Sequence, residues 1–392
     1  MIDRITRQKL LIATSGAHII QDGLGALQYV LLPILAQAFG LSYTQVGLLR
    51  AASNTAMSIL EIPAGILAEK YGEPVLISAG LVFAGLGYIG VALADKFYWI
   101  VIFFVLSGAG AAFQHSLSSS LIACNFDPAG RRKALGTYNS AGDAGKLAFT
   151  AIFGFGLGLG IAWNASVILL SLSALLLAAI TPWLCRRAIT GLTQTAACPE
   201  HWLTGSWGIK DRARFTRLTI TASLDSVAQA VFFTFIAFLL IEKGMDENQA
   251  AIAIVMALSG GMVGKFCSGF LAAEFGDRRA FLLLQGLTIV SFILIVNIPA
   301  VYVFWILPLV GLVVQGSSTV TYGSVSEFVA EERQARGYAL IYSVGSAASV
   351  AGTFAFGVIG DVYGLNSLFI GLSLLVVITL ITGRVLKTSI NE

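Results

Sequence analysis

Long apolar runs alternate with short polar breaks from one end of the chain to the other. Twelve runs reach the ~20 residues that a helix needs to cross a hydrocarbon layer about 30 Å thick. They fall at about 10–38, 44–68, 74–94, 98–126, 135–160, 163–185, 216–241, 248–273, 280–299, 301–327, 337–360 and 366–386. None shows the ten-residue alternation of outward apolar and inward polar positions that marks a spanning β-strand. The pattern therefore predicts an all-α membrane protein of twelve transmembrane helices.

Composition supports this reading. The 392 residues are 57% hydrophobic and 11% charged, with mean hydropathy +0.84, too little polar surface to coat a soluble domain. With the N-terminus in the cytoplasm, 19 of the 24 basic residues fall on the cytoplasmic side, among them the cluster Arg131-Arg132-Lys133. Only Lys96 and Lys243 lie opposite, and Arg50, Lys146 and Lys265 fall inside runs. Because Lys and Arg concentrate in cytoplasmic loops, both termini are assigned there, in an inner membrane. The net charge of +3 is thus a topology signal and gives no reason to expect nucleic acid. The first run resembles a signal peptide, but Gln21 and Asp22 interrupt it, so it is read as an uncleaved helix. Cys124, Cys185, Cys198 and Cys267 lack metal-ligand spacing and are not expected to form disulfides.

The chain repeats itself. An offset of 204 residues carries Gly40, Gln45, Gly65, Leu67, Ala68 and Gly72 onto Gly244, Gln249, Gly269, Leu271, Ala272 and Gly276, and Arg132 and Tyr138 onto Arg336 and Tyr342. Two copies of a six-helix unit follow, expected at 1–185 and 216–392 with a cytoplasmic linker at 186–215. An even helix count gives both copies the same orientation, a parallel repeat about an axis along the membrane normal, with a cavity between them. The linker, with Trp202 and Trp207 among basic residues, reads either as a segment lying on the membrane surface or as a disordered loop.

GILAEKYG at 65–72, echoed by GFLAAEFGDRR at 269–279, resembles the cytoplasmic loop signature of the major facilitator superfamily. The acidic position is Glu69 in the first copy and Ala273 in the second. His18-x-x-x-Asp22, LLP at 31–33 and FGLSYTQVGLL at 39–49 are similar to the fosmidomycin-resistance-type branch. Glu61 stands where that branch has an amide, and Asp143 and Lys146 where it has uncharged residues. The resemblance implies that the second, fifth, eighth and eleventh helices line the seam between the halves. It also implies transport, with export favoured.

Ionisable residues within the runs are the candidate chemistry, since a lone charge there costs about 2.5–3.5 kcal/mol or more and usually faces water. His18 and Asp22 are one helical turn apart and share a face; they would carry a proton, or simply hold helices together. Glu61 lies eight residues before the cytoplasmic end of its run, and its repeat-mate is Lys265. Asp143 lies at the expected depth of Lys265, so the two are expected to pair as a gate or as a static bridge. Lys146 is expected to pair with Glu61 or to receive an anionic solute. Asp225 falls one position from the repeat-mate of Asp22, a second protonatable site or a packing residue. His115 and Gln114, answered in the second half by Gln315, fit either a hydrogen-bonding cavity wall or polar helix contacts. Arg50 is read as snorkelling to the surface. Arg132 and Arg336 sit in loops that would gate the cavity or anchor it.

No phosphate-binding glycine loop, nucleophile elbow or zinc-spaced set is present, so neither an enzyme nor a cofactor is expected. The reading is a monomeric secondary transporter in the lipid bilayer, moving a small-molecule substrate against protons, with antiport and efflux favoured. The alternatives are a proton symporter for an organic anion or zwitterion and, from another class, a transport-inactive membrane sensor.

Overall fold

The computed structural model describes residues 4–126, 128–185, 207–330 and 334–386. The expected linker therefore lies mostly outside the described residues. The described chain is helical, with one isolated antiparallel bridge between Ile209 and Val329. In order come α1 (Arg4–Phe39), α2 (Tyr43–Tyr71), α3 (Glu73–Leu93), α4 (Phe97–Ala112), α5 (His115–Asn125), α6 (Pro128–Gly158) and α7 (Trp163–Leu184). Then follow α8 (Arg212–Glu242), α9 (Glu247–Phe275), α10 (Asp277–Asn297), α11 (Ala300–Gly323), α12 (Val325–Phe328) and α13 (Gln334–Thr382).

Nine of the described helical segments are long and apolar enough to cross a membrane. The last of them, Leu340–Thr382, lies in α13, whose 49 residues would extend more than 70 Å at 1.5 Å per residue. Gly364 breaks it with φ 81 and ψ 166, so it supplies two passes. α2 and α6 are also of spanning length but carry the charges discussed below. The fourth expected run is two helices, α4 and α5, and twelve passes result. Bulky apolar side chains such as Leu169, Leu176, Phe266, Phe270, Trp305 and Leu309 are exposed, as a lipid-facing surface requires.

The duplication is visible in the turns. Positive φ occurs at Gly40 and Gly244 (62 and 95), Gly72 and Gly276 (80 and 83), and Gly160 and Gly364 (78 and 81), each pair separated by 204 residues. Only glycine enters that region without a steric penalty. The start of the second pass in each half is likewise repeated. Ser42 and Gln45 cap each other's backbone N–H groups at 2.9 and 3.2 Å, and Asp246 and Gln249 form the same reciprocal box at 3.3 and 2.7 Å. Each satisfies two donors that a helix start leaves open.

The chain divides into two compact units, Met1–Leu31 with Ala52–Trp202, and Leu32–Ala51 with Leu203–Glu392. Segment Leu32–Ala51, expected in the first bundle, groups with the second unit for local reasons. The Asp361 carboxylate accepts the Tyr43 and Thr44 N–H groups at 2.6 and 2.8 Å. The Tyr43 ring meets Phe235 and Phe238 edge-on, with centroids 6.3 and 5.6 Å apart. A Cβ on Gly47 would lie 2.6 Å from the Thr353 carbonyl oxygen. In the first unit, α3 packs against α4 and α7, with Tyr88, Phe104 and Leu81 fully buried. In the second, α9 packs on α11, where Cβ atoms on Gly260, Gly264 and Gly311 would overlap the facing backbone. α8 starts at Arg212, ahead of the expected boundary, because Asp211 caps the Arg214 N–H at 3.0 Å.

A buried carboxylate ringed by cations in the first unit

Two helices approach closely because glycines line their contact. A Cβ on Gly145 of α6 would overlap the Ile19 backbone of α1, and one on Gly23 of α1 would lie 2.5 Å from the Phe149 ring of α6. A Cβ on Gly142 would stand 2.5 Å from the His18 ring and 2.9 Å from Asp22 Oδ2. The missing side chains let the His18 and Asp22 side chains of α1 lie directly on α6. From there Lys146 reaches back.

Asp22 is the hub. Lys146 Nζ lies 3.0 Å from its Oδ2 and 3.1 Å from Asp143 Oδ1. His18 Nε2 lies 3.3 Å from Asp22 Oδ2, and His115 Nε2 lies 3.5 Å from Oδ1. The Asp22 side chain is 11% exposed, that of His115 42%, so His115 is the accessible edge of the cluster. His18, Asp22 and His115 present ligand atoms within 4.8 Å of one another, a spacing a metal ion could use. The Lys146 ammonium on the same carboxylate opposes a cation there.

The His18 ring is fixed on three sides. Its Nδ1 is 2.8 Å from the Tyr138 carbonyl oxygen, and the ring stacks on Tyr138 with centroids 4.1 Å apart at 21°. The ring of His115 meets it edge-on at 5.1 Å. A carbonyl only accepts, so Nδ1 carries hydrogen. Nε2 then faces a carboxylate oxygen, a contact that is attractive only if a proton lies between them, on the imidazole or on the acid. The geometry therefore sets an imidazole nitrogen against a carboxylate oxygen, two groups between which a proton can pass.

Sequence reasoning read residues 98–126 as one helix and missed a break beside this site. The Phe113 and Gln114 N–H groups turn back to Gly110 and Ala111 at 3.2 and 3.1 Å, and α5 begins afresh at His115. This places a helix N-terminus, with its partial positive charge, at membrane depth next to Asp22. Tyr138 was also missed as a site residue. Its only signal was the match to Tyr342 in the repeat, which stacks on Tyr322 with centroids 4.5 Å apart.

Lys146, expected to pair with Glu61 or to receive a solute, pairs with Asp22 and Asp143. Glu61 is exposed on α2 and makes no ion pair among the described residues. Asp143 has Lys146 as its partner, and Lys265 is half-buried on α9. Gln114 is buried and donates to Ser118 Oγ at 3.2 Å. Gln315 is buried against Gly261. The side chains of Arg132 and Arg336 lie outside the described residues. In the second unit Asp225 is buried and accepts from Gln285 Nε2 at 2.6 Å, Ser317 Oγ at 2.7 Å and Gln229 Nε2 at 2.9 Å. All three donors are neutral, and Asp225 makes no ion pair among the described residues.

A duplicated helical bundle that buries ion pairs at membrane depth is a multi-pass membrane transporter. The chain belongs to the Major Facilitator Superfamily, whose family model matches residues 14–201 and 218–389. It is 25% identical over 389 residues to an uncharacterized MFS-type transporter, YfnC, of Bacillus subtilis, covering 94% of this chain and 90% of that one. It is 27% identical over 276 residues to the multi-drug resistance efflux pump PmrA of Streptococcus pneumoniae, covering 68% and 67%. To the fosmidomycin resistance protein of Escherichia coli it is 29% identical over 110 residues, 28% of this chain and 27% of that one. Its fold is similar to that of a bacterial homolog of the human lysosomal transporter Spinster, with TM-score 0.83, 17% identity and coverage of 98% and 97%.

Proposed function

We propose that this transporter is a proton-coupled secondary carrier of a small charged solute, working by alternating access in the inner membrane with both termini cytoplasmic. The observation that carries the reading is the contact of the His18 imidazole with Asp22, with Lys146 on the same carboxylate. Asp22 is the proton carrier, and Lys146, His18, His115 and Gln114 receive the solute. Glu61, Asp143 and Asp225 are further protonatable groups, and Gln315 and Lys265 line the path in the second half. Asp143, Lys265, Arg132 and Arg336 act as gating charges, and the carrier works as a monomer. Export is favoured by the names of two relatives, an efflux pump and a resistance protein.

A second reading, uptake of an organic anion with protons, is favoured by Lys146. An anion that binds Lys146 displaces Asp22, and a buried carboxylate without its cation takes a proton. Anion and proton then bind together, whereas a cationic solute would compete with the proton for Asp22 and be exchanged for it.

Flux into proteoliposomes under an imposed pH gradient tests the proposal. Asp22→Asn is expected to abolish gradient-driven flux while leaving solute exchange at half or more of its rate. Unchanged driven flux would remove Asp22 as the carrier.

A further inference from the structure

Outside the charged cluster, the second unit contains a cavity of about 600 Å³ between the start of α8 and the first part of α13. It is lined by Trp207, Arg212, Phe215, Ile220, Leu340 and Val344, among others. Backbone hydrogen bonds build its rim. The Lys210 N–H donates to the Phe328 carbonyl at 2.9 Å and the Ala330 N–H to the Gly208 carbonyl at 2.8 Å, pinning Trp207 and Arg212 at the mouth.

Charge and apolar surface are segregated around it. Lys210, Arg212, Arg214 and Arg217 are exposed within eight residues, and Arg212 lines the cavity. Asp211 is the one acid among them, paired with Arg214 at 3.4 Å. One helical turn or two farther along α8, the wall becomes apolar. Phe215 is buried, while Ile220 and Val344 are 47% and 40% exposed. A basic rim over an apolar slot matches an anionic head over an acyl chain. Trp207, exposed at the cavity, is of the type that settles at a bilayer interface, and the volume is that of a pocket for one small ligand or part of a larger one.

We propose that this cavity is a binding site for an anionic phospholipid of the cytoplasmic leaflet, its phosphate on Arg212 and one acyl chain along Ile220, Leu340 and Val344. The leaflet assignment rests on the orientation read from the basic residues; the site itself does not.

The test uses the full-length protein in nanodiscs, where lipid fills both leaflets and orientation plays no part. Brominated phosphatidylglycerol, diluted in phosphatidylcholine, should quench Trp207 fluorescence, taken as the difference between the protein and its Trp207→Phe variant. Half-quenching is expected at a bromolipid fraction several-fold lower than with brominated phosphatidylcholine. Arg212→Gln should raise that fraction about fivefold. Val344→Trp, which fills the slot and leaves the charge intact, should abolish the preference. Equal quenching by the two lipids, or a preference that survives both substitutions, overturns the proposal. So does loss of the preference on adding glycerol phosphate at millimolar concentration, which would make the site one for a free anion. Labelling of the chain termini in intact cells tests the orientation separately.

Discussion

At the scale of residues, the question is how a carboxylate survives at membrane depth. Asp22 does so by drawing in Lys146 and two imidazoles, and Lys146 in turn shares Asp143. Removing one member of such a buried set strands the others, at a cost of about 3–5 kcal/mol, whereas removing both partners of a pair costs less than the sum. Asp22→Asn and Lys146→Gln are each expected to lower the melting midpoint, and the double variant to melt above the additive value, with a coupling of about 1–3 kcal/mol. Additive midpoints would mean that the pair is not formed. The i, i+4 spacing made His18–Asp22 legible in the sequence, but the arrival of Lys146 was not. Its three-residue spacing from Asp143 was visible, yet its contact with Asp22 depends on how closely two helices approach. Sequence periodicity reports faces, not distances.

At the scale of elements, that approach is set by Gly142 and Gly145, which do different work. A methyl group on Gly145 meets main chain, whereas one on Gly142 meets the His18 ring and Asp22 Oδ2, which are held in the charged cluster. Gly145→Ala is therefore expected to lower stability by about 1–3 kcal/mol, seen as a lower melting midpoint and reduced yield. Gly142→Ala should lower the melting midpoint as well, and it alone should cut proton-driven flux per folded molecule tenfold or more, because it displaces the His18–Asp22 contact. Equal effects of the two on that flux would contradict this division. Helix number, most boundaries and the repeat were legible because hydrophobic run length and glycine turns are local signals. The break at Phe113–Gln114 was hidden because no proline and no charged turn marks it. The grouping of Leu32–Ala51 with the second unit was hidden because it rests on Asp361, far along the chain.

At the scale of the whole molecule, the sign of the pH dependence distinguishes uptake from exchange. If the solute is an anion seated on Lys146, its affinity should rise as pH falls through the titration of Asp22, since proton and solute assist each other. If it is a cation, affinity should rise with pH. Isothermal titration of a ligand, found by thermal-shift screening of purified protein, reads the sign at two pH values, and Asp22→Asn should flatten either trend. An affinity independent of pH in the unsubstituted protein would separate solute binding from proton binding altogether. The duplicated architecture was readable from the 204-residue offset. The asymmetry was readable only in part, because Asp22 with its cations and Asp225 with its neutral donors occupy nearly equivalent positions yet differ in every partner.

Asp361 holds the start of α2 by the Tyr43 and Thr44 main-chain amides, with the Thr44 and Ser42 hydroxyls on the same carboxylate. The two amides survive any substitution at Tyr43 or Thr44 other than proline, whereas the Thr44 hydroxyl and the Tyr43 ring contacts do not. The main-chain part of the hold falls on one carboxylate more than three hundred residues away.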